Sequence, residues 1–427
     1  MNAAPGNRES GRAGWGPFAA LMAALAAIFA AAARVYLQRY PLPLAAVAGI
    51  YVCFMLSLAL ALAPGLRGSR AALERWFPSR RKAPALVLIW VAPYLIYAAG
   101  TGDFRWSALA TLVGVGGAMV ALYAWFPVRA EAKFGWQDAA VAGVLIAVVL
   151  SRQLRGIWNV PQNQDFVGRL YLIGVAAWCW TLVRVVPELG YDLWPCRESL
   201  LAPLTRRSEG THPLPDGRGS ETTHPLPDGR GSETAHPLPD GRGSETAHPL
   251  PGGRGSETAQ PLPDGRGSET AQPLPDGRGS ETQVAAQLLK AAGVNFVWFA
   301  LLALPAGLAL RFIAWNPRWR GWPQLGLDYL QIFLFIALLE ELFFRGFLQT
   351  LLAKTLRSQY GAQALVACLF GLFHILHAPF PNWRYVALAT VAGWFYGSAF
   401  RQGGGVMAAA LTHAAVDTVW RTFFTRG

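Results

Sequence analysis

Residues 336–346 read IALLEELFFRG, two adjacent carboxylates and an arginine (Glu340, Glu341 and Arg345) inside a run apolar enough to cross a bilayer. A charged side chain at bilayer depth costs roughly 2.5–3.5 kcal/mol on insertion scales, so such groups face a protein interior and do work there. On a helix turning about 100° per residue, Glu341 and Arg345 stand about 40° apart and can pair, whereas Glu340 stands about 140° from Arg345. The spacing therefore divides the labour. Glu341 is held ionised by the arginine, and Glu340 is free to act on a substrate or a water.

The chain around this stretch is of the same apolar kind, with 53% hydrophobic and only 15% charged residues. Its apolar blocks are long and not periodic, and several reach the ~20 residues that span hydrocarbon. The expected fold class is all-α, a polytopic transmembrane helix bundle. After a polar, disordered tail at 1–14, spans are expected near 15–35, 43–64, 84–100, 106–126, 138–151 and 167–187, making an N-terminal transmembrane region over 15–203. The basic start has the look of a cleaved signal peptide, but its length and the spans that follow favour a retained first helix. Five more spans, near 292–314, 328–353, 362–377, 384–400 and 404–421, make a C-terminal region over 284–427. Gly114, Gly116 and Gly117 in the first half are read as close helix packing. Arg184, Glu188 and Asp192 are read as a solvated helix rim, and the first half shows no catalytic constellation.

Between the halves, residues 204–283 hold six near-identical copies of a 12-residue unit, HPLPDGRGSETA, starting at His212, His224, His236, His248, Gln260 and Gln272. A unit whose one bulky apolar residue is a leucine cannot bury enough surface to offset its ordering entropy, so this is a disordered linker. The repeats are net negative by five, so the rest of the chain is net positive by seventeen against an overall +12. Much of that charge sits in the loop at 65–83 (Arg67, Arg70, Arg75, Arg80, Arg81, Lys82), which marks it, with 127–137, as cytoplasmic. No basic, aromatic-interleaved soluble module is present, which excludes nucleic acid as the partner. Membrane lipid and a peptide or protein in or at the membrane are the partners expected. The four cysteines are scattered and form no CxxC pair, so they are read as buried free thiols.

Outside the repeats the histidines fall only at His374, His377 and His413. His377, before Ala378 and Pro379, is interfacial and has no role. His374 follows Phe370 at i+4, and His413 shares a helix face with Asp417 at i+4. Glu340, Glu341, Arg345, His374, His413 and Asp417 thus form a candidate catalytic set on three helices, suited to water-mediated amide hydrolysis. Glu340 is the general base with His374, and His413 with Asp417 serves the developing oxyanion. No cofactor is expected. A zinc-dependent version with Glu340, His374, His413 and Asp417 as ligands is the first alternative, although no HExxH occurs. A non-catalytic scaffold or immunity protein and a transporter with a proton relay are the others.

At these residues the sequence resembles the CPBP family of CAAX prenyl proteases and bacteriocin-processing intramembrane proteases, often labelled "CAAX protease self-immunity". The family motifs EExxxR, FxxxH and HxxxN/D read here as EELFFR (340–345), FGLFH (370–374) and HAAVD (413–417). The run 393–413, GWFYGSAFRQGGGVMAAALTH, is similar to the family's Gly-containing helix pair. The resemblance covers about 285–427. It implies an eight-helix-type bundle open towards the membrane interior, with Glu340 and His374 activating water and His413 and Asp417 on the oxyanion side. Asp417 stands where prenyl proteases carry Asn, so its oxyanion role requires a protonated carboxyl or action through His413. Together these readings give an intramembrane endopeptidase, glutamic or metallo in type, in a bacterial cytoplasmic (inner) membrane. Deleting 211–282 should leave its cleavage rate unchanged, and a loss of activity in that deletion would show the repeat to be more than a tether.

Overall fold

The computed structural model describes residues 15–77, 82–126, 133–159, 166–186 and 278–426. The first half is helical throughout: α1 Gly16–Arg39, α2 Leu44–Leu62, α3 Arg67–Trp76, α4 Ala83–Thr101, α5 Trp106–Trp125, α6 Trp136–Ser151 and α7 Phe166–Trp178, the last continuing through a π turn at Cys179–Val183. In the second half α8 is Arg278–Ala309, α9 runs over 322–356, α10 is Gln359–Phe373, α11 Trp383–Gly403 and α12 Val406–Phe423. A two-stranded antiparallel ribbon, β1 Ile313–Trp315 with β2 Phe424–Arg426, closes one end of this half. The expected tail at 1–14 and nearly all of the expected linker lie outside the described residues. The end of the last repeat copy, from Arg278, is the start of α8 and not linker.

Local chemistry sets the helix ends. Pro17 in the first turn of α1 carries no amide hydrogen to leave unpaired. Gly102 and Gly404, both left-handed, end α4 and α11. Asn382 and Ser358 cap α11 and α10 by accepting from Tyr385 N and Gly361 N, each at 3.0 Å. Among the described residues six helices are long and apolar enough to cross a membrane, five in the first half and α8 in the second, and the protein is a multi-pass membrane protein. The expectation of five such spans in the second half needs correcting. α10 is too short, and α9, α11 and α12 carry too many polar and charged residues.

The described residues of the two halves fold as one compact unit. The Phe335 ring of α9 lies 4.9 Å from Phe166, 5.5 Å from Phe54 and 5.9 Å from Phe29. Further along, Phe347 stacks on Trp180 at 4.2 Å and 10°. Aromatic pairs of this kind add about 0.5–1.5 kcal/mol each beyond burial, so α9 has its back against the first half.

Two readings of the first half change. Gly116 meets the Tyr171 hydroxyl, but Gly114 and Gly117 face open space and pack against nothing. Arg184 is no solvated rim. It is fully buried, with Nε 3.1 Å from Asp138 Oδ1, and Tyr123 Oη donates to the same oxygen at 2.9 Å. Its burial follows from the π turn, which carries the chain past Cys179 and turns the guanidinium inward. Glu188 and Asp192 lie outside the described residues. Among the described cysteines, Cys53 and Cys179 are buried as expected, whereas Cys368 is exposed.

Close approach of α10 and α11 depends on Gly371, where an added Cβ would sit 2.7 Å from the Val386 carbonyl and closer still to Thr390. Backbone cannot retreat from such a contact as a flexible side chain can. Gly371→Ala should therefore lose about 1–3 kcal/mol of stability, read by unfolding in detergent. An unchanged midpoint would mean the helices cross elsewhere.

Candidate active site

The stretch that carries Glu340, Glu341 and Arg345 is not a plain α-helix. Within α9, π turns at Phe333–Ala337 and Leu342–Gln349 bracket the α-helical Leu338–Glu341, and Thr350 N bonds the carbonyl of Arg345 five residues back. Such widened turns recur at functional sites. Here the wide turn aims both Arg345 and Gln349 at α11. Arg345 Nη2 donates to the Gly393 carbonyl at 2.8 Å, and Gln349 Nε2 to the Gly397 carbonyl at 3.4 Å. Gly393 and Gly397, four residues apart, expose those carbonyls because they have no side chain to cover them.

Glu341 and Arg345 pair as their spacing predicts, both fully buried, with Arg345 Nη1 2.9 Å from Glu341 Oε2. The second partner of Glu341 is His413, whose Nδ1 donates to Oε1 at 2.8 Å. Asp417 lies 3.6 Å from the other ring nitrogen, longer than a hydrogen bond, and its side chain is partly exposed. Aromatic rings seal the cluster. Arg345 lies over Phe370 at 4.8 Å and over Tyr396 at 5.5 Å, and Tyr396 stacks on His413 at 4.5 Å. Such cation–π contacts gain about 2 kcal/mol when desolvated.

His374 joins through Phe370, whose ring lies 4.9 Å from it and 5.8 Å from His413. Nδ1 of His374 donates to the Phe370 carbonyl at 2.8 Å, so the lone pair is on Nε2. Tyr385 packs 4.6 Å from the His374 ring and lies within electrostatic reach of Asp417 and Glu340. His377, expected to be interfacial, is beyond the end of α10 and largely exposed, with its ring 5.0 Å from Tyr385. Partial burial, then His374, Arg426 and Arg169, hold its pKa below the ordinary histidine value.

Glu340 departs from its neighbour. A third of its side chain is exposed, and its ion-pair partner is Arg169 of α7, at 3.8 Å. One charged group of the first half, Arg169, therefore stands beside Glu340. Arg169 was legible under the rule applied to Glu340, being a lone cation within the apolar span Phe166–Val183. Tyr385 and Tyr396 carried no such signal.

The zinc alternative takes Glu340, His374, His413 and Asp417 as its ligands. His413 faces a carboxylate at each ring nitrogen, one nitrogen of His374 is committed to a carbonyl, and Glu340 faces an arginine. Among the described residues no three His, Cys, Asp or Glu side chains are placed to share a metal ion.

Residues 322–419 match the family model for Rce1-like type II CAAX prenyl endopeptidases, in agreement with the resemblance read from the three motifs. The matched segment runs from the start of α9 into α12 and takes in all six candidate residues, but not Arg169. No curated protein and no solved structure matches the chain.

The adjacent glutamates should respond oppositely. Glu341→Gln strips the counter-charge from a buried arginine and should cost about 3–5 kcal/mol in an unfolding experiment. Glu340→Gln, at a half-open position with a partly exposed partner, should shift stability by less than about 1 kcal/mol. Equal effects would show that the two carboxylates share one environment.

Proposed function

We propose that this protein is a glutamic intramembrane endopeptidase of a bacterial cytoplasmic membrane, hydrolysing a peptide bond of a membrane-associated substrate. The family match supports the protease class. The observation that carries the mechanism is the unequal fate of the two glutamates: Glu341 is spent on Arg345 and His413, whereas Glu340 alone reaches open space.

In this mechanism Glu340 takes a proton from a water as its oxygen attacks the scissile carbonyl carbon. His374 orients the same water through the lone pair on Nε2. The resulting oxyanion is met from α12. Because Nδ1 of His413 is committed to Glu341, its donor there is Nε2–H or a protonated Asp417 carboxyl. Collapse of the tetrahedral intermediate breaks the C–N bond, and the proton on Glu340 passes to the leaving amine. Glu341 and Arg345 touch no substrate in this scheme. They are positioning residues that keep α9, α11 and α12 in register. The apolar surroundings exclude bulk water, so a single ordered molecule suffices.

Glu340→Ala should lower cleavage by at least about 100-fold, the usual contribution of a general base. It should also leave membrane-protein fragments uncut that appear in wild-type cells. A strong chelator should leave the wild-type rate unchanged. An unaltered fragment pattern would favour a scaffold, and chelator-sensitive cleavage restored by zinc would favour the metallo reading.

A further inference from the structure

Tyr385 stands in the first turn of α11, and both its backbone and its ring are fastened there. Its backbone N–H donates to the Asn382 cap at 3.0 Å. The ring is gripped from other elements. His374 and His377, at and beyond the end of α10, lie 4.6 Å and 5.0 Å from it. Trp420 of α12 stacks at 6.1 Å and 24°, and Phe312, just before β1, lies at 5.2 Å. The guanidinium of Arg426, in β2, sits over the ring at 5.7 Å. The hydroxyl, by contrast, is left alone. The side chain is only partly exposed, yet among the described residues no group donates to that oxygen or accepts from it. Such groups are nearly always paired, so a free hydroxyl on an immobilised ring asks for a reason.

The surroundings supply one. The carboxylates within electrostatic reach of the hydroxyl are Asp417 on α12 and Glu340 on α9. Attack of water on a carbonyl carbon puts negative charge on the carbonyl oxygen, and that charge needs donors aimed at it in advance. Donors are scarce here. An ionised Asp417 offers none and repels the charge. Nδ1 of His413 is committed to Glu341, and Nδ1 of His374 to the Phe370 carbonyl. What remains on α12 is Nε2 of His413, 3.6 Å from Asp417. A phenol, protonated at neutral pH, is a donor with no charge of its own.

Resting on the reading of Glu340 as base, we propose that Tyr385 is a further catalytic residue, whose hydroxyl donates a hydrogen bond to the oxyanion as water attacks. Its O–H bond stays intact throughout, and the proton taken by Glu340 still goes to the leaving amine. The hydroxyl has no resting partner, so no hydrogen bond has to break when the charge develops. The oxyanion is then met from two helices, by Tyr385 on α11 and by α12.

The test uses the full-length protein in cells. Its readout is the rate at which those membrane-protein fragments appear that Glu340→Ala abolishes, followed by pulse labelling and mass spectrometry. Tyr385→Phe keeps the ring and its neighbours, and thermal unfolding in detergent checks that it is folded. It should slow these fragments about 100-fold, the usual cost of removing one oxyanion donor. Binding should not change, because the hydrogen bond forms only with the oxyanion. In the Glu340→Ala background, uncut precursors should therefore co-purify with the protein equally with and without Tyr385→Phe. A fluorinated tyrosine at position 385, whose phenol ionises near neutral pH, should cleave at low pH and lose activity as pH rises through that ionisation. Full-rate cleavage by folded Tyr385→Phe, or a loss matched by weaker precursor binding, would overturn the proposal and leave Glu340 standing. So would a fluorinated variant that follows the wild-type pH profile. Fragments unchanged in Glu340→Ala would instead remove the base, and the proposal with it.

Discussion

A single buried carboxylate, Glu341, holds the second half of this protein in shape. In a low-dielectric interior it is tolerable only because Arg345 and His413 meet it from two directions. Each partner is fastened in turn. Arg345 reaches the bare backbone of α11 at Gly393 and lies over Phe370 of α10, and His413 is pressed against Tyr396. Four helices are thereby tied through one charge. Hydrophobic contact alone gives no register to helices surrounded by lipid, since lipid tails are as apolar as leucine. A carboxylate with two fixed partners does give register.

That same constraint explains how two identical neighbours come to differ. A π turn on each side of Leu338–Glu341 sets the phase of the helix so that Glu341 enters the bundle interior while Glu340 is left at its edge. The buried glutamate is held by two partners and cannot shift without breaking the bundle. The edge glutamate faces a long, half-exposed arginine, and so it keeps a freedom that Glu341 lacks.

The first half is braced by similar means. Asp138 sits between Arg184 and Tyr123 with no exposure to solvent, a second charge node some 150 residues or more from the first. Around it the helices present aromatic rings to α9, so the first half serves as the back wall of that helix. The two nodes use the same chemistry for different ends. The first half's node is closed to solvent, while the second half's opens at one edge, through Glu340 and Asp417.

The sequence alone determined that the chain is helical and membrane-spanning, because runs of ~20 apolar residues have no other stable form in hydrocarbon. It also determined which side chains to suspect, because ionisable groups in such runs are too costly to keep without a use. The pairing of Glu341 with Arg345 could be read from an i, i+4 spacing. The tertiary structure decided what spacing cannot reach. Glu341 has a second partner 72 residues away in His413, and Glu340 answers to an arginine in the other half. Arg184 is buried and not solvated, and two of three mid-span glycines pack against nothing. Each of these depends on where separate helices meet. Helix meetings in a membrane are set by a few polar contacts and small residues and leave no period in the sequence.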